Sequence, residues 1–353
     1  MPQPHRPPPL ALPDAPSRAG APHPVFPIFL PYRGCLDRCV FCAQETQTGQ
    51  AAGTRLATAL ADARQALRRR REDGGAPVEL AFYGGTFTAL PEKDFAACLA
   101  LAREALGQGW ATAVRCSTRP DRLDTTRLAR LRAAGCATIE LGVQSFSGAA
   151  LSASRRGYGE TDALAACGLV TQSGMRLGVQ LLPGMPGHTP DAFRQDVALA
   201  LAAGAELLRF YPCLVLEGTP LAALWRVGAY SPWPLETTLD ALAAGWLAAA
   251  RAGVPVIRMG LAPEPGLAKA VLAGPADPAL GCRVMGRALL LAAQEGVAAD
   301  PSRAPFDLRL PRRLQGCLWG WRGEWRAAWT ALGLRQVRWE DGPPRLFPAS
   351  LEA

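Results

Sequence analysis

"PYRGCLDRCVFCAQ", residues 31–44, carries Cys35, Cys39 and Cys42, separated by three and two residues. No regular apolar period runs through the stretch, so it reads as a loop. Three thiols this close together point to metal ligation, yet cysteine-built metal sites commonly use four protein ligands. A fourth is hard to find. Cys98, the nearest later cysteine, stands alone in a helix-like segment, and Cys116, Cys136, Cys167, Cys213, Cys282 and Cys317 are equally isolated. Those seven read as small buried hydrophobes. The shortfall predicts a cluster held by three thiolates with one position left open, as catalytic metal sites keep one.

The loop follows an apolar run, "FPIFLPY", and that run opens a series: "VELAFYG", "AVRCSTR", "TIELGVQ", "RLGVQLLPG", "LLRFYPCLV" and finally "VPVIRMG". Between the runs lie segments of helical period at about residues 56–72, 91–107, 124–134, 161–173, 190–203 and 235–252. Nearly continuous apolar strands alternating with amphipathic helices predict a parallel sheet covered by helices, curled into a partial (β/α)6-type barrel. The segments after the strands are polar or rich in Gly and Pro: the three cysteines, then "GGTFT", "STRPD", "QSF", "PGMPG" and "YP". In a parallel barrel the carboxyl ends of the strands share one face, and the site is expected there.

The chain of 353 residues divides in this reading into a disordered Pro-rich tail over 1–24, a barrel over 25–260 and an extension over 261–353 that packs on it. The first 24 residues hold only two Arg, which argues against a basic nucleic-acid arm. No cationic segment followed by an apolar run begins the chain, and no run of 18 apolar residues occurs, so a soluble cytoplasmic protein with reduced thiols and no membrane partner is expected. The formal charge of +8 comes from 36 Arg and only Lys93 and Lys269 among the cations. It permits a nucleic-acid partner without requiring one. "RRRR" at residues 68–71 reads as cations complementing a helix C-terminus.

A CxxxCxxC loop after the first strand of such a barrel resembles the signature of the radical S-adenosylmethionine (SAM) superfamily. The resemblance implies a [4Fe–4S] cluster on Cys35, Cys39 and Cys42 whose open iron binds SAM. It implies reductive cleavage of SAM to a 5′-deoxyadenosyl radical that abstracts hydrogen, with a flavodoxin- or ferredoxin-type electron donor. Phe41, before the last cysteine, is then a candidate to pack near the adenine, with a core aromatic as the other reading. "YGGTFT", with Gly84, Gly85 and Thr86, corresponds to the loop that faces the SAM amino group. Two glycines there let backbone approach a ligand. "GCATIELGVQSF", "SRRGY", "GVQLLPGMPGHTP" and "RFYPCLVLEGTPLAALW" are similar to the elongator catalytic-subunit branch and its short bacterial forms, and share features with oxygen-independent coproporphyrinogen oxidases. On that basis Ser117 and Gln144 are candidates to meet the ribose, and Arg156 to pair with the methionine carboxylate. Each has an alternative as an ordinary polar residue of the barrel mouth.

The chain departs from that pattern at Ala43, where Asn is frequent, and at Tyr158 and Asp277, where His is frequent. These positions put a substrate transferred by analogy in doubt. His188, in "PGHTP", is expected to be a solvated loop residue. The 93 residues after Gly260 show no clear βαβ pattern and no glycine-rich pyrophosphate loop, so the acetyltransferase domain of the elongator subunit is not expected. They do hold eight Arg and five Trp between Pro301 and Trp339. Cations beside stacking surfaces suit RNA. Most of the Trp are expected to pack instead, with Trp321, Trp325 and Trp329 at helical spacing over the open side of the barrel. The leading expectation is a radical SAM enzyme acting on tRNA. Radical chemistry on a small molecule such as a tetrapyrrole, and a non-catalytic iron–sulfur or zinc protein, are the alternatives.

Overall fold

The computed structural model describes residues 7–14, 24–49, 55–261 and 264–349. Seven parallel strands form one sheet in chain order: β1 (Val25–Phe29), β2 (Val78–Tyr83), β3 (Ala111–Thr118), β4 (Cys136–Gln144), β5 (Arg176–Leu181), β6 (Leu207–Phe210) and β7 (Val256–Met259). Helices α1 (Leu56–Glu72), α2 (Glu92–Gly107), α3 (Thr125–Ala133), α4 (Glu160–Gln172), α5 (Pro190–Ala202) and α6 (Leu235–Arg251) connect successive strands. Neither β1 nor β7 pairs with the other among the described residues, so the barrel is curled but open. The helical periods of the sequence match helices to within one residue, and every apolar run contains most of a strand, with three runs extending three to five residues past the strand end.

Local chemistry accounts for the helices. In α1, Leu56, Leu60, Ala63 and Leu67 recur at helical spacing and all four are buried. Its exposed end carries the Arg run, where Arg71 Nη1 donates to the Gly75 carbonyl at 2.7 Å and Arg68 pairs with Glu72. The Asp124 carboxylate caps α3 by accepting from Arg127 N at 2.7 Å; Thr189, followed by Pro190, caps α5 through Ala192 N at 3.1 Å. Among the described residues no helix is long and apolar enough to cross a membrane.

The C-terminal region differs from its sequence reading. Helix α7 (Leu280–Ala299) lies against α6, and beyond it Phe306–Leu310 and Leu334–Trp339 pair in parallel. The helix Arg326–Ala331 lies between those two strands, so a βαβ crossover is present where the sequence showed no clear one. Loops and 3-10 turns fill most of this crossover, which hides its period. Arg345–Pro348 and Leu10–Ala11 complete the small sheet, and Leu12 is buried in its core. Part of the expected tail is therefore tied down; residues 1–6 and 15–23 lie outside the described residues.

Trp325 and Trp329 do pack, but into this second core with Leu289, Leu290 and Phe306 rather than over the barrel's open side. Trp329 is fully buried, meets Phe306 edge-on and donates its indole N–H to Leu318 O at 3.1 Å. Trp321 lies outside the helix and is 57% exposed. Asp277, one of the departures noted above, accepts from Arg283 Nη1 at 2.6 Å; Arg283 also grips Glu324, tying α7 to the crossover. Trp329→Ala is expected to cost about 3–5 kcal/mol in denaturant unfolding, the range for large aromatic truncations in a core. Trp321→Ala is expected to stay within about 0.5 kcal/mol of the parent. Equal losses would contradict this packing.

Candidate active site

The carboxyl ends of the strands converge on a cavity of 1270 Å³ whose lining includes Cys35, Cys39, Cys42, Phe41, Gly84, Gly85, Ser117, Gln144 and Arg156. The sequence candidates are thus brought together with one exception. Thr86 is fully buried beneath the loop, with its Oγ1 3.3 Å from Cys35 Sγ. It supports a thiol and does not line the cavity.

Two loops lock to each other. Thr86 N donates to Arg33 O at 2.7 Å, and both Gly34 and Gly85 have positive φ. A Cβ on Gly34 would overlap the Thr86 carbonyl oxygen, and one on Gly85 would overlap the Arg33 carbonyl oxygen. Gly85 is therefore required by chain-to-chain approach, whatever it also offers a ligand. Gln44, which the sequence reading passed over, stitches the same junction: its Oε1 accepts from Tyr32 N at 2.6 Å and from Gly85 N at 2.8 Å. Only its position just after the third cysteine could have singled it out.

From the other side, Val40 is buried among Met185, Cys213, Val215 and Leu221, and its carbonyl accepts from Leu221 N at 2.8 Å. The "PGMPG" and "YPC" segments thus seat the cysteine loop. Phe41 borders this apolar group as well as the cavity. Gln144 closes β4 with φ +67°, an uncommon conformation for a side-chain-bearing residue. Ser117 Oγ accepts from Gln180 Nε2 at 2.9 Å.

Burial pushes the Cys35 thiol up, and burial together with the neighbouring Cys39 and Cys35 sulfurs pushes Cys42 up to about 12. Thiols that resist ionisation on their own become ligands when a metal's charge displaces their protons. Three cysteine thiolates are the donor type that holds iron–sulfur clusters. Among the described residues, no group of three or more His, Cys, Asp or Glu side chains could hold a single metal ion.

Arg156 does not present a free fork to the cavity. Its Nη1 is 2.8 Å from Cys39 Sγ, its Nη2 donates to Gly142 O at 2.6 Å, and Nε and Nη2 both reach the Tyr158 hydroxyl at 3.0 and 2.7 Å. Tyr158 in turn donates to the end of β4, at Val143 O (2.9 Å) or Gly142 O (3.0 Å). His188 is not solvated: its side chain is fully buried, with Nε2 3.0 Å from Asp196 Oδ2 and its ring against Trp233. It sits under a neighbouring loop, and nothing in the sequence marks the carboxylate on α5 that lies beside it.

Deeper in the barrel lies a polar belt that the apolar strand readings missed. Glu140 on β4 is fully buried and accepts from Tyr83 Oη (2.8 Å), Arg115 Nη1 (3.0 Å), Arg209 Nη2 (3.0 Å) and Gln180 Nε2 (2.9 Å), each on a different strand. Burial opposes its ionisation, but Arg209 and Arg115 hold its carboxyl below the usual range. Gly178 leaves room for this side chain: a Cβ there would lie 3.0 Å from Glu140 Cγ.

The loop junction yields a direct test. Gly85→Ala is expected to disturb the cysteine loop itself, lowering the melting temperature and the iron retained after anaerobic reconstitution. Gly148→Ala, where an added Cβ meets nothing within 4 Å, should change neither. A Gly85→Ala protein with parental stability and iron content would contradict the interlock.

Comparison with known proteins fits this geometry. A family model described as the radical SAM superfamily matches residues 29–200, and one described as the radical SAM C-terminal domain matches residues 205–287. The tRNA uridine(34) acetyltransferase of Methanocaldococcus infernus is 30% identical over 128 residues, 35% of this chain and 24% of that protein. Elongator complex protein 3 of Drosophila melanogaster is 27% identical over 189 residues, 47% of this chain and 34% of that protein. The matches thus span about a quarter to a third of the length of these curated relatives. The solved structure of M. infernus Elp3 with an N-terminal deletion shares the fold, with a TM-score of 0.57 and 20% identity over 79% of this chain and 64% of that one. The two family matches run across the barrel and its cysteine loop into α7, and the chain belongs to the radical SAM enzyme superfamily.

Proposed function

We propose that this enzyme holds a [4Fe–4S] cluster on Cys35, Cys39 and Cys42, cleaves SAM reductively, and modifies tRNA. The observation that carries the first two parts is the meeting of three thiols and the Gly84–Gly85 loop in one cavity. When bound, the reduced cluster and SAM would supply a 5′-deoxyadenosyl radical for hydrogen abstraction. The chain's own residues do the holding. Gly84 and Gly85 offer backbone without side chains toward the SAM amino group, while Gln144 and Ser117 suit the ribose hydroxyls. Phe41 supplies an apolar wall for the adenine. The seating of Val40 keeps the loop closed to water beneath the thiols. An electron donor of the flavodoxin or ferredoxin class completes the reaction.

The tRNA part rests on the relatives, which include a tRNA uridine(34) acetyltransferase. The Arg-rich extension supports it less than its composition suggests. Arg313 pairs with Asp14, Arg303 with Asp300 and Pro8 O, and Arg309 with Glu340 and the Phe347 ring. Arg326 lies over Trp319.

Anaerobic reconstitution is expected to load about four irons and four sulfides per chain. Cys35→Ala, Cys39→Ala and Cys42→Ala should each abolish loading, while Cys98→Ala, buried in α2, should keep it. The reduced protein should form 5′-deoxyadenosine from SAM. With SAM, reductant and total tRNA, mass spectrometry of digested nucleosides should reveal a new product, and tRNA binding should weaken steeply with salt. Stoichiometric zinc without iron would overturn the cluster. Unchanged nucleosides and no salt-dependent binding would overturn the tRNA half and leave a small-molecule substrate as the better account.

A further inference from the structure

Arg156 is a cation with only 4% of its surface exposed. Among the described residues no carboxylate lies within ion-pair distance of it, although every other strongly buried Arg has one: Arg115 with Glu79 and Glu140, Arg283 with Asp277 and Glu324. A buried guanidinium without an anion is costly. Besides the Gly142 carbonyl and the Tyr158 hydroxyl, its donors reach the Cys39 sulfur, at 2.8 Å from Nη1, a group that becomes an anionic thiolate when it ligates a cluster. A second guanidinium stands behind it. Arg119 Nη1 is 3.8 Å from the same sulfur, and its Nη2 donates to Arg156 O. The Arg119 charge is largely answered by Asp121, which it grips at 2.8 and 3.1 Å. The Arg156 charge is not.

Three of the Arg156 N–H groups are fixed by Gly142 O and the Tyr158 hydroxyl. Tyr158 is itself pinned to the carbonyls at the end of β4. The guanidinium plane is therefore set by β4 and aimed at Cys39, with little freedom left to form a bidentate pair with an incoming carboxylate.

We propose that Arg156 acts on the cluster through the Cys39 sulfur, raising its reduction potential, with Tyr158 as the positioning residue that aims it. The proposal rests on the cluster reading above. A hydrogen bond and a positive charge on a ligating sulfur stabilise the reduced, more negative state of an iron–sulfur centre, so the potential moves up. The departure at Tyr158 then has a physical role: its hydroxyl both accepts from the guanidinium and donates to the strand, which locks the aim.

The test is an EPR-monitored redox titration of the reconstituted full chain without SAM, with iron and sulfide counted for each variant. Omitting SAM matters, because a residue that served only the SAM carboxylate would leave this midpoint untouched. Arg156→Gln is expected to make reduction at least tenfold less favourable, a downward shift of about 59 mV for one electron. Arg156→Lys, which keeps the charge and loses the fork, should fall between. Tyr158→Phe should shift in the same direction by less. A midpoint for Arg156→Gln within twofold of the parent's equilibrium, with four irons present, would overturn the proposal. Should Arg156→Gln hold no cluster, Tyr158→Phe decides by the same criterion: no downward shift overturns the proposal. A parent protein that takes up no iron fails the cluster reading itself and removes the ground of the inference.

Discussion

The site depends on one backbone contact. Residues 33–34 and 85–86 approach so closely that neither Gly34 nor Gly85 has space for a Cβ, and Thr86 N bonds directly to Arg33 O. This contact fixes the first and second strand-end loops as one body. The pairing of Phe29 with Tyr83 at the ends of β1 and β2 brings the loops side by side, and Gln44 closes the junction from the far end of the cysteine segment. A loop of no regular structure thereby presents three thiols from defined directions. Loops that carry chemistry on a rigid scaffold commonly need such clamps.

Beneath that clamp the barrel lumen is organised by charge rather than by apolar layers. Glu140 gathers donors from β2, β3, β5 and β6, and Arg115 also meets Glu79. Burying these groups is expensive, so the belt gains little stability over an apolar core of equal volume. What it provides is a set of fixed polar side chains, Tyr83, Gln180 and Arg209 among them, facing the same cavity as the thiols. Removal of Glu140 alone would leave the Arg209 guanidinium without its carboxylate and Arg115 with Glu79 only. The belt and the loop clamp thus define the top and the floor of one chamber.

Much of the scaffold was legible in the sequence because barrel strands and amphipathic helices have periods that one chain displays. The three cysteines and the glycine pair could be placed at one mouth because strand polarity determines which loops share a face, while Phe41, Ser117, Gln144 and Arg156 were singled out by the family resemblance. What could not be read were contacts between distant residues. Arg156 and Cys39 are 117 positions apart, so the turn of the guanidinium toward sulfur has no local signature. The same holds for Thr86 under Cys35, His188 against Asp196 and Asp277 against Arg283. The lumen belt was hidden because single Glu and Arg residues inside apolar runs look like interruptions until the strands are laid side by side. In the C-terminal region the crossover was missed because its short helix is flanked by turns, while packing of Trp325 and Trp329 was legible in their helical spacing.

The central claim is that three thiolates from one loop hold a four-iron cluster whose remaining iron takes SAM. Mössbauer spectroscopy of 57Fe-reconstituted protein, recorded with and without SAM, tests it most directly. The account predicts that about one iron in four changes its environment when SAM is added, while the others keep theirs. A spectrum in which all four irons are equivalent and indifferent to SAM, in a protein with full iron content, would contradict it.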